Sequence, residues 1–291
     1  MKPIPVVFHL GPLTIHTYGL GLAITFYIAF RYLERRLARA GQPTEWVAGM
    51  TISVVVGAIL GARAMHVIAN WSYYGNHLGE IPLIWRGGLS SFGGLILAVP
   101  LGLAISHRRC PSLTRLAGTD LVAPVLMAAW AIGRLLGPQL MVAGGGHPST
   151  AWFAMNYAGQ FGRRVPVPII QALEDAATFA VLIVLERALA ARGTTRRIAN
   201  PPHGLVTACA MVLWGITRGL DEHFLLDGGS NLGSLLVEWA SLGLIITGTA
   251  LGIWALKEWR DATDGAAEAT PITYCSTDGA QALGFSPDAA A

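Results

Sequence analysis

Charge is scarce in this chain. Of its 291 residues only 13% are Asp, Glu, Lys or Arg, while 53% are hydrophobic and the mean hydropathy is +0.51. Soluble domains carry roughly 25% charged residues, so the deficit excludes an ordinary soluble domain. The remaining charge is clustered between long apolar stretches, which reads as repeated membrane crossings. Cysteine is scarce too. Cys110, Cys209 and Cys275 stand far apart, with no CxxC and no partner histidine spacing, which argues against a zinc site or a disulfide framework. Cys209 lies in an apolar run and reads as a small packing residue. No metal or other cofactor and no nucleic-acid partner is expected. The first residues, Met1 to Tyr18, lack a basic region leading into a compact apolar core and a cleavage site, so the first apolar span is expected to stay as an anchor. From about Ala262 the sequence is rich in Ala, Thr, Asp and Gly without periodicity and reads as disordered.

What is present is a set of seven segments able to span a hydrocarbon core of about 30 Å. They run roughly over 15–34, 45–68, 89–106, 118–138, 167–186, 204–222 and 235–256. The fifth is unusual in holding Glu174 and Asp175. The expected architecture is all-α: a transmembrane domain over 1–260, an extracytoplasmic cap over 139–166, and a cytoplasmic tail over 261–291. Basic residues set the orientation. Arg31, Arg35, Arg36, Arg39, Arg108, Arg109, Arg115, Arg187, Arg192, Arg196, Arg197, Lys257 and Arg260 flank one side. The other side has Lys2, Arg86, Arg163 and Arg164, a bias of 13 against 4. The positive-inside rule then puts the N-terminus outside and the C-terminus in the cytoplasm.

Three arginines remain, all inside predicted spans: Arg63, Arg134 and Arg218. Each lies roughly 14 to 18 residues into a span that runs outward, so at about 1.5 Å per residue they share one depth in the outer half of the bilayer. The inward-running spans begin at that depth with Tyr18, Ser90 and Ser91, and Gln171 and Glu174. An arginine near the membrane centre costs at least about 2.5–3.5 kcal/mol on insertion scales. Three at one level point to a polar cavity or a matching anion. A phospholipid phosphate suits the guanidinium fork. The structural alternative is pairing with a carboxylate, as Arg218 and Glu222 permit at four residues' spacing.

Other features are weaker. Gly57 and Gly61 form a GxxxG, and Gly93 with Gly94 also reads as a place of close helix approach. Trp71, Tyr73, Tyr74 and Trp85 fit an interfacial aromatic belt. His66 lies one turn from Arg63 on the same face. It reads first as a packed histidine and second as a substrate contact.

With those residues placed, the chain resembles the bacterial prolipoprotein diacylglyceryl transferase family over roughly residues 10 to 258. Tyr18-Gly19-Leu20, Gly61-Ala62-Arg63 and Trp85-Arg86-Gly87-Gly88-Leu89-Ser90 look like the family's pieces in the first three spans. Asp120, Ala123 and Pro124 with Gly133-Arg134-Leu135 match the fourth, and Arg218 with Glu222 matches the Arg-x-x-x-Glu of the sixth. The resemblance implies transfer of the diacylglyceryl group of phosphatidylglycerol to the lipobox cysteine of a prolipoprotein signal peptide. The products are a thioether and glycerol phosphate, and the setting is the bacterial plasma membrane among its lipids. It assigns Arg134 and Arg218 to the phosphate, with Glu222 orienting Arg218. Tyr18, Arg63, His66, Ser90, Ser91 and Gln171 become substrate contacts.

The chain also departs from the pattern. Phe92 stands at the family's histidine, which is the obvious base for the thiol. Leu136, Gly137 and Pro138 replace the usual Gly-Asn or Gly-Cys. Pro166-Val167-Pro168-Ile169-Ile170-Gln171 lacks the Tyr and Glu of the fifth-span motif, and Leu225 replaces a second arginine. His66, Glu174 or a bound water stands open as the replacement base. Two other readings stay beside the transferase. One is a paralogue that binds phospholipid or lipoprotein without turnover. The other is an anion transporter, which would show an internal repeat that the sequence does not display.

Overall fold

The computed structural model describes residues 7–10, 13–84, 91–111, 113–137, 140, 142, 144–196, 202–224 and 232–268. A short hairpin, β1 (Val7–Leu10) and β2 (Leu13–His16), leads directly into α1 (Thr17–Arg39). Then come α2 (Val47–Ala69), the single turn α3 (Trp71–Tyr74) and a 3-10 turn over Leu78–Glu80. Next are α4 (Ser91–Arg109) and α5 (Arg115–Leu136). A cap segment carries the two-residue strands β3 (Met155–Asn156) and β4 (Arg163–Arg164). The chain closes with α6 (Val167–Arg196), α7 (Leu205–Phe224) and α8 (Leu232–Glu268). Each of the seven expected spans thus falls on a long helix. Among the described residues, four stretches are by themselves long and apolar enough to cross a membrane: Val47–Ala69, Arg115–Leu136, Val167–Ala191 and Val237–Ala262.

The helices outrun the spans at one end. Arg31 to Arg39 complete α1, Arg108 and Arg109 complete α4, and Arg187, Arg192 and Arg196 lie on α6 rather than in a loop. The expected tail also begins later than its composition suggested. Ala262 to Glu268 continue α8, because Ala262, Ala266, Ala267 and Glu268 are strong helix formers, no proline falls in the stretch, and the single Gly265 is tolerated within it. The rest of that tail, 269–291, lies outside the described residues.

The helix surface is that of a protein whose solvent is lipid. Ile52, Leu60 and Ile68 on α2, Ile96 on α4, Val184 on α6 and Trp239, Ile246 and Ile253 on α8 are all more than half exposed. In water such a belt would drive association. In a bilayer it is the required outer face. Between the helices, one apolar cluster joins Ala123 and Met127 of α5 to Leu182 and Leu189 of α6 and Val206 and Ala210 of α7. A second joins Leu33 and Leu37 of α1 to Val47 of α2 and Val125 of α5.

Because lipid gives no hydrophobic drive between helices, close van der Waals contact must hold them. On α2 and α4 the pairs expected from the glycines are present. A Cβ on Gly61 would overlap the carbonyl oxygen of Gly93, and one on Gly93 would overlap that of Gly61. α7 and α8 meet similarly, with Ser241 O 2.9 Å from where a Gly215 Cβ would stand.

Polar ties fix the end of the bundle away from the cap. Arg36 of α1 donates to both oxygens of Glu186 on α6, the longer bond at 3.0 Å, and through Nε to Leu121 O of α5 at 2.8 Å. Asp120 of α5 caps the start of α7. It accepts from Gly204 N at 2.6 Å, Thr207 N at 2.8 Å and Thr207 Oγ1 at 2.6 Å. A carboxylate at a helix N-terminus satisfies otherwise orphan N–H groups and opposes the helix dipole.

The Gly61–Gly93 contact makes a direct prediction. Gly61→Leu must push α2 away from α4, at a cost of about 1–3 kcal/mol for overpacking. The expected result is a lower thermal unfolding midpoint of the detergent-purified protein. Leucine at Gly49, where an added Cβ meets nothing within 4 Å, is the control expected to leave the midpoint unchanged.

Candidate functional site

The cap segment joins the end of α5 to the start of α6, and the last turns of α7 lie at that same end. Four short sequences are thereby brought together: Arg134 on α5, Gln171, Glu174 and Asp175 on α6, and Arg218, Asp221 and Glu222 on α7. The helical spacing explains the grouping within α7, since residues 218, 221 and 222 share one face. Arg134, Gln171, Asp175, Asp221 and Glu222 are all buried.

The pairings run across and along the helices. Arg218 Nη2 donates to Glu222 Oε2 at 3.2 Å. Arg134 Nε lies 4.0 Å from Asp175 Oδ2. Trp214 approaches the Asp175 carboxylate with its indole N–H, and its ring packs on Trp130 of α5 at 5.0 Å. Asp221 is in hydrogen-bonding contact with both Gln171 and Glu174. Arg134 and Arg218 are close enough to repel each other. Two like charges are kept side by side here by the carboxyls packed around them, and a dianionic or bridging phosphate satisfies such a pair directly.

Arg63 is committed elsewhere. Its Nε donates to Ile81 O and its Nη2 to Glu80 O, both at 2.7 Å, and Tyr74 lies under the guanidinium at 5.2 Å. The expected level of three arginines therefore resolves into a pair, Arg134 with Arg218, and a third that pins the Glu80–Ile81 turn to α2. His66 stands edge-on to Tyr74 at 5.9 Å, in that turn-holding group. Tyr74 is buried there, so it is not a belt residue, unlike the exposed Trp71 and Tyr73. Tyr18 and Ser91 lie in the first turns of α1 and α4. Ser90 and Trp85 lie outside the described residues.

Asp175 and Asp221 were not singled out from the sequence as site residues, and Glu174 only as one possible base. The signal was available. An ionisable residue inside a span is as costly when acidic as when basic, and the rule that marked the arginines marks these three equally.

The cap is an ordered hairpin rather than a bare loop. Gly145 and Gln160 exchange two hydrogen bonds, from Gly145 N to Oε1 at 2.9 Å and from Nε2 to Gly145 O at 3.0 Å. Arg164 Nη1 donates to Gly146 O at 2.8 Å, and Arg163 holds the carbonyls of Trp152 and Ala154. A Cβ on Gly145 would press on Arg164, Tyr157 and Gln160. Tyr157 is buried beneath the hairpin, and its hydroxyl has no hydrogen-bond partner among the described residues. Burial alone pushes that phenol up to about 12, so it stays neutral at any physiological pH.

Long lipid-faced helices around a buried, charged site at one end define the class: a polytopic membrane protein with an intramembrane polar centre. The model of the prolipoprotein diacylglyceryl transferase family matches residues 5–254, and the chain belongs to that family. A phosphatidylglycerol–prolipoprotein diacylglyceryl transferase of Geobacillus kaustophilus (strain HTA426) is 40% identical over 135 residues, which is 46% of this chain and 49% of that protein. One from Bacillus velezensis is 38% identical over 134 residues, 45% of this chain and 47% of its own. These matches span about half the length of the curated relatives concerned. One from Streptococcus agalactiae serotype Ia is 27% identical over 267 residues, covering 87% of this chain and 96% of that protein.

The unpartnered hydroxyl gives a prediction for the cap. Tyr157→Phe keeps the packing and removes a buried polar group worth about 1–3 kcal/mol of desolvation. The variant is expected to unfold at the same or a higher temperature than the parent. A marked fall would reveal a partner for the hydroxyl.

Proposed function

We propose that the protein transfers the diacylglyceryl group of phosphatidylglycerol to the lipobox cysteine of a prolipoprotein, forming a thioether and releasing glycerol phosphate. The observation that carries this reading is the buried Arg134–Arg218 pair at the cap end of α5 and α7, in a member of this family. In the reaction, negative charge becomes localised on the departing phosphate. Two guanidinium groups already fixed in a water-poor site stabilise that charge without reorganising. Glu222 holds Arg218 at 3.2 Å and thereby fixes the direction of its remaining N–H groups. Gln171, on the Asp221 side of the cluster, completes the polar floor. Tyr18 and Ser91, in the first turns of α1 and α4, with Ser90 just before α4 in the sequence, are the further substrate contacts this reading expects. Arg63 and His66 shape the neighbouring turn.

The bias of basic residues supports an orientation with the C-terminus in the cytoplasm and all seven long helices crossing the bacterial plasma membrane. The charged centre and the cap then face the extracytoplasmic side, where lipoprotein precursors emerge. A reporter enzyme fused after Arg260 is expected to be active only in its cytoplasmic form, and an extracytoplasmic signal would reverse the arrangement.

One observation favours a second reading. Phe92 occupies the position of the family's histidine, and a phenyl ring takes no proton. A protein that binds phosphatidylglycerol and lipoprotein without turnover would tolerate that change. The two readings separate on one assay: purified protein in lipid nanodiscs with phosphatidylglycerol and a lipobox peptide, scored by mass spectrometry for the diacylglyceryl thioether. The transferase reading expects product, lost in Arg134→Ala together with phosphatidylglycerol binding. Bound lipid with no product identifies the non-catalytic paralogue.

A further inference from the structure

The charged centre contains more acid than the phosphate-handling role requires. Two guanidinium groups, Arg134 and Arg218, face four carboxyls: Glu174, Asp175, Asp221 and Glu222. Glu222 is engaged by Arg218. Glu174 and Asp221 meet carboxyl to carboxyl, a contact two carboxyls make favourably when one proton lies between them, the Glu174 O–H donating to the Asp221 carboxylate. Asp175 is 3% exposed, yet its Oδ2 accepts no hydrogen bond among the described residues. An unsatisfied buried carboxylate oxygen costs more than a neutral group would, and native structures retain such atoms for a reason. The transfer meanwhile needs an acceptor for the thiol proton, and Phe92 is not one. His66, the other candidate with a suitable ring, is packed against Tyr74 in the group that Arg63 pins to the Glu80–Ile81 turn.

We propose that the carboxyl cluster of Glu174, Asp175 and Asp221 carries the proton of the transfer, Asp175 Oδ2 taking it from the lipobox thiol. This rests on the transferase reading above. The groups that face the cluster are Arg134 from α5, Gln171 on α6, and Trp214, Arg218 and Glu222 from α7. When a lipid phosphate neutralises Arg134 where it stands, the loose 4.0 Å hold on the Asp175 oxygen weakens and that oxygen is released to accept, so the thiol is activated only beside bound lipid. The S–H bond breaks and its proton passes to Asp175. The thiolate attacks the glyceryl carbon bearing the phosphate ester, forming the C–S bond. The C–O bond breaks with its electron pair going to the phosphate oxygen, and the cluster returns one proton to the released glycerol phosphate. The cluster ends with the protons it began with, and no redox partner is involved.

The test is Asp175→Asn in the thioether assay, in nanodiscs and across a range of pH. At pH 7 the rate is expected to fall at least about 100-fold, the usual worth of a positioned base. The deficit should narrow as pH rises toward about 9, because a thiol of ordinary pKa near 8.5 then ionises unaided. Asp175→Glu should recover part of the rate. Glu174→Gln, which leaves Asp175 in place, gives an independent arm if the first variant is not retained in the membrane. It should lose at least about tenfold, on the same reasoning. A wild-type rate from either variant overturns the proposal, and so does a deficit equal at both pH values, which is the mark of a purely structural role. No thioether from the parent protein overturns the transferase reading, and the proton role with it.

Discussion

A guanidinium or carboxylate in a lipid-faced bundle must find its solvent inside the protein. That constraint organises both ends of this molecule. Away from the cap, Arg36 is used up by Glu186 and the Leu121 carbonyl, and Asp120 by the N–H groups that open α7. These contacts are short, satisfied and bridge successive helices, so they fix α1, α5, α6 and α7 relative to one another. At the cap end the pairings are looser. The Arg134–Asp175 distance is 4.0 Å, and Asp175 Oδ2 takes no hydrogen bond among the described residues. The same helices thus carry a saturated polar tie at one end and an unsaturated centre at the other. An unsaturated buried centre is costly to fold. It is retained where a ligand supplies the missing partner.

The rest of the architecture serves that division. α2 with α4 and α7 with α8 meet through glycine and serine contacts that bring backbones together, the form of adhesion that works where lipid offers no hydrophobic drive. Arg63 is consumed in holding the Glu80–Ile81 turn against α2. The cap hairpin is held by backbone bonds to Gln160, Arg163 and Arg164. It lies between the last residue of α5 and the first of α6, the helices that carry Arg134 and Asp175. Rigid surroundings of this kind position charged groups without having to reorganise during a reaction.

Under the transferase reading, Phe92, which the resemblance places at the family's histidine, leaves the thiol proton to other groups, and the carboxyls where α6 faces α7 are the ones proposed for it. Gln171 takes the place of the family's motif glutamate, and Glu174, Asp175 and Asp221 lie within one or two turns of the motif positions. The two guanidinium groups lie on α5 and α7 and the carboxyls on α6 and α7, and the Arg134–Asp175 pair joins the proposed phosphate and proton roles.

The sequence by itself determined the number and place of the long helices, the asymmetry of their basic ends, and Arg134 and Arg218 with Glu222 as unusual residues at one level. These follow from local physics, because an apolar run of about 20 residues and an intramembrane charge are legible without knowing any neighbour. Depth along a helix is also fixed by residue count, which is why counting alone puts Arg63, Arg134 and Arg218 at one level and does not separate the first from the other two. What only the tertiary structure decided was partnership. Depth does not say which way a side chain faces. Arg63, at the same level by counting, turns to the Glu80 and Ile81 carbonyls, while Asp175 and Asp221 turn inward to the arginines. Facing depends on helix rotation, and rotation is set by packing between helices far apart in the chain.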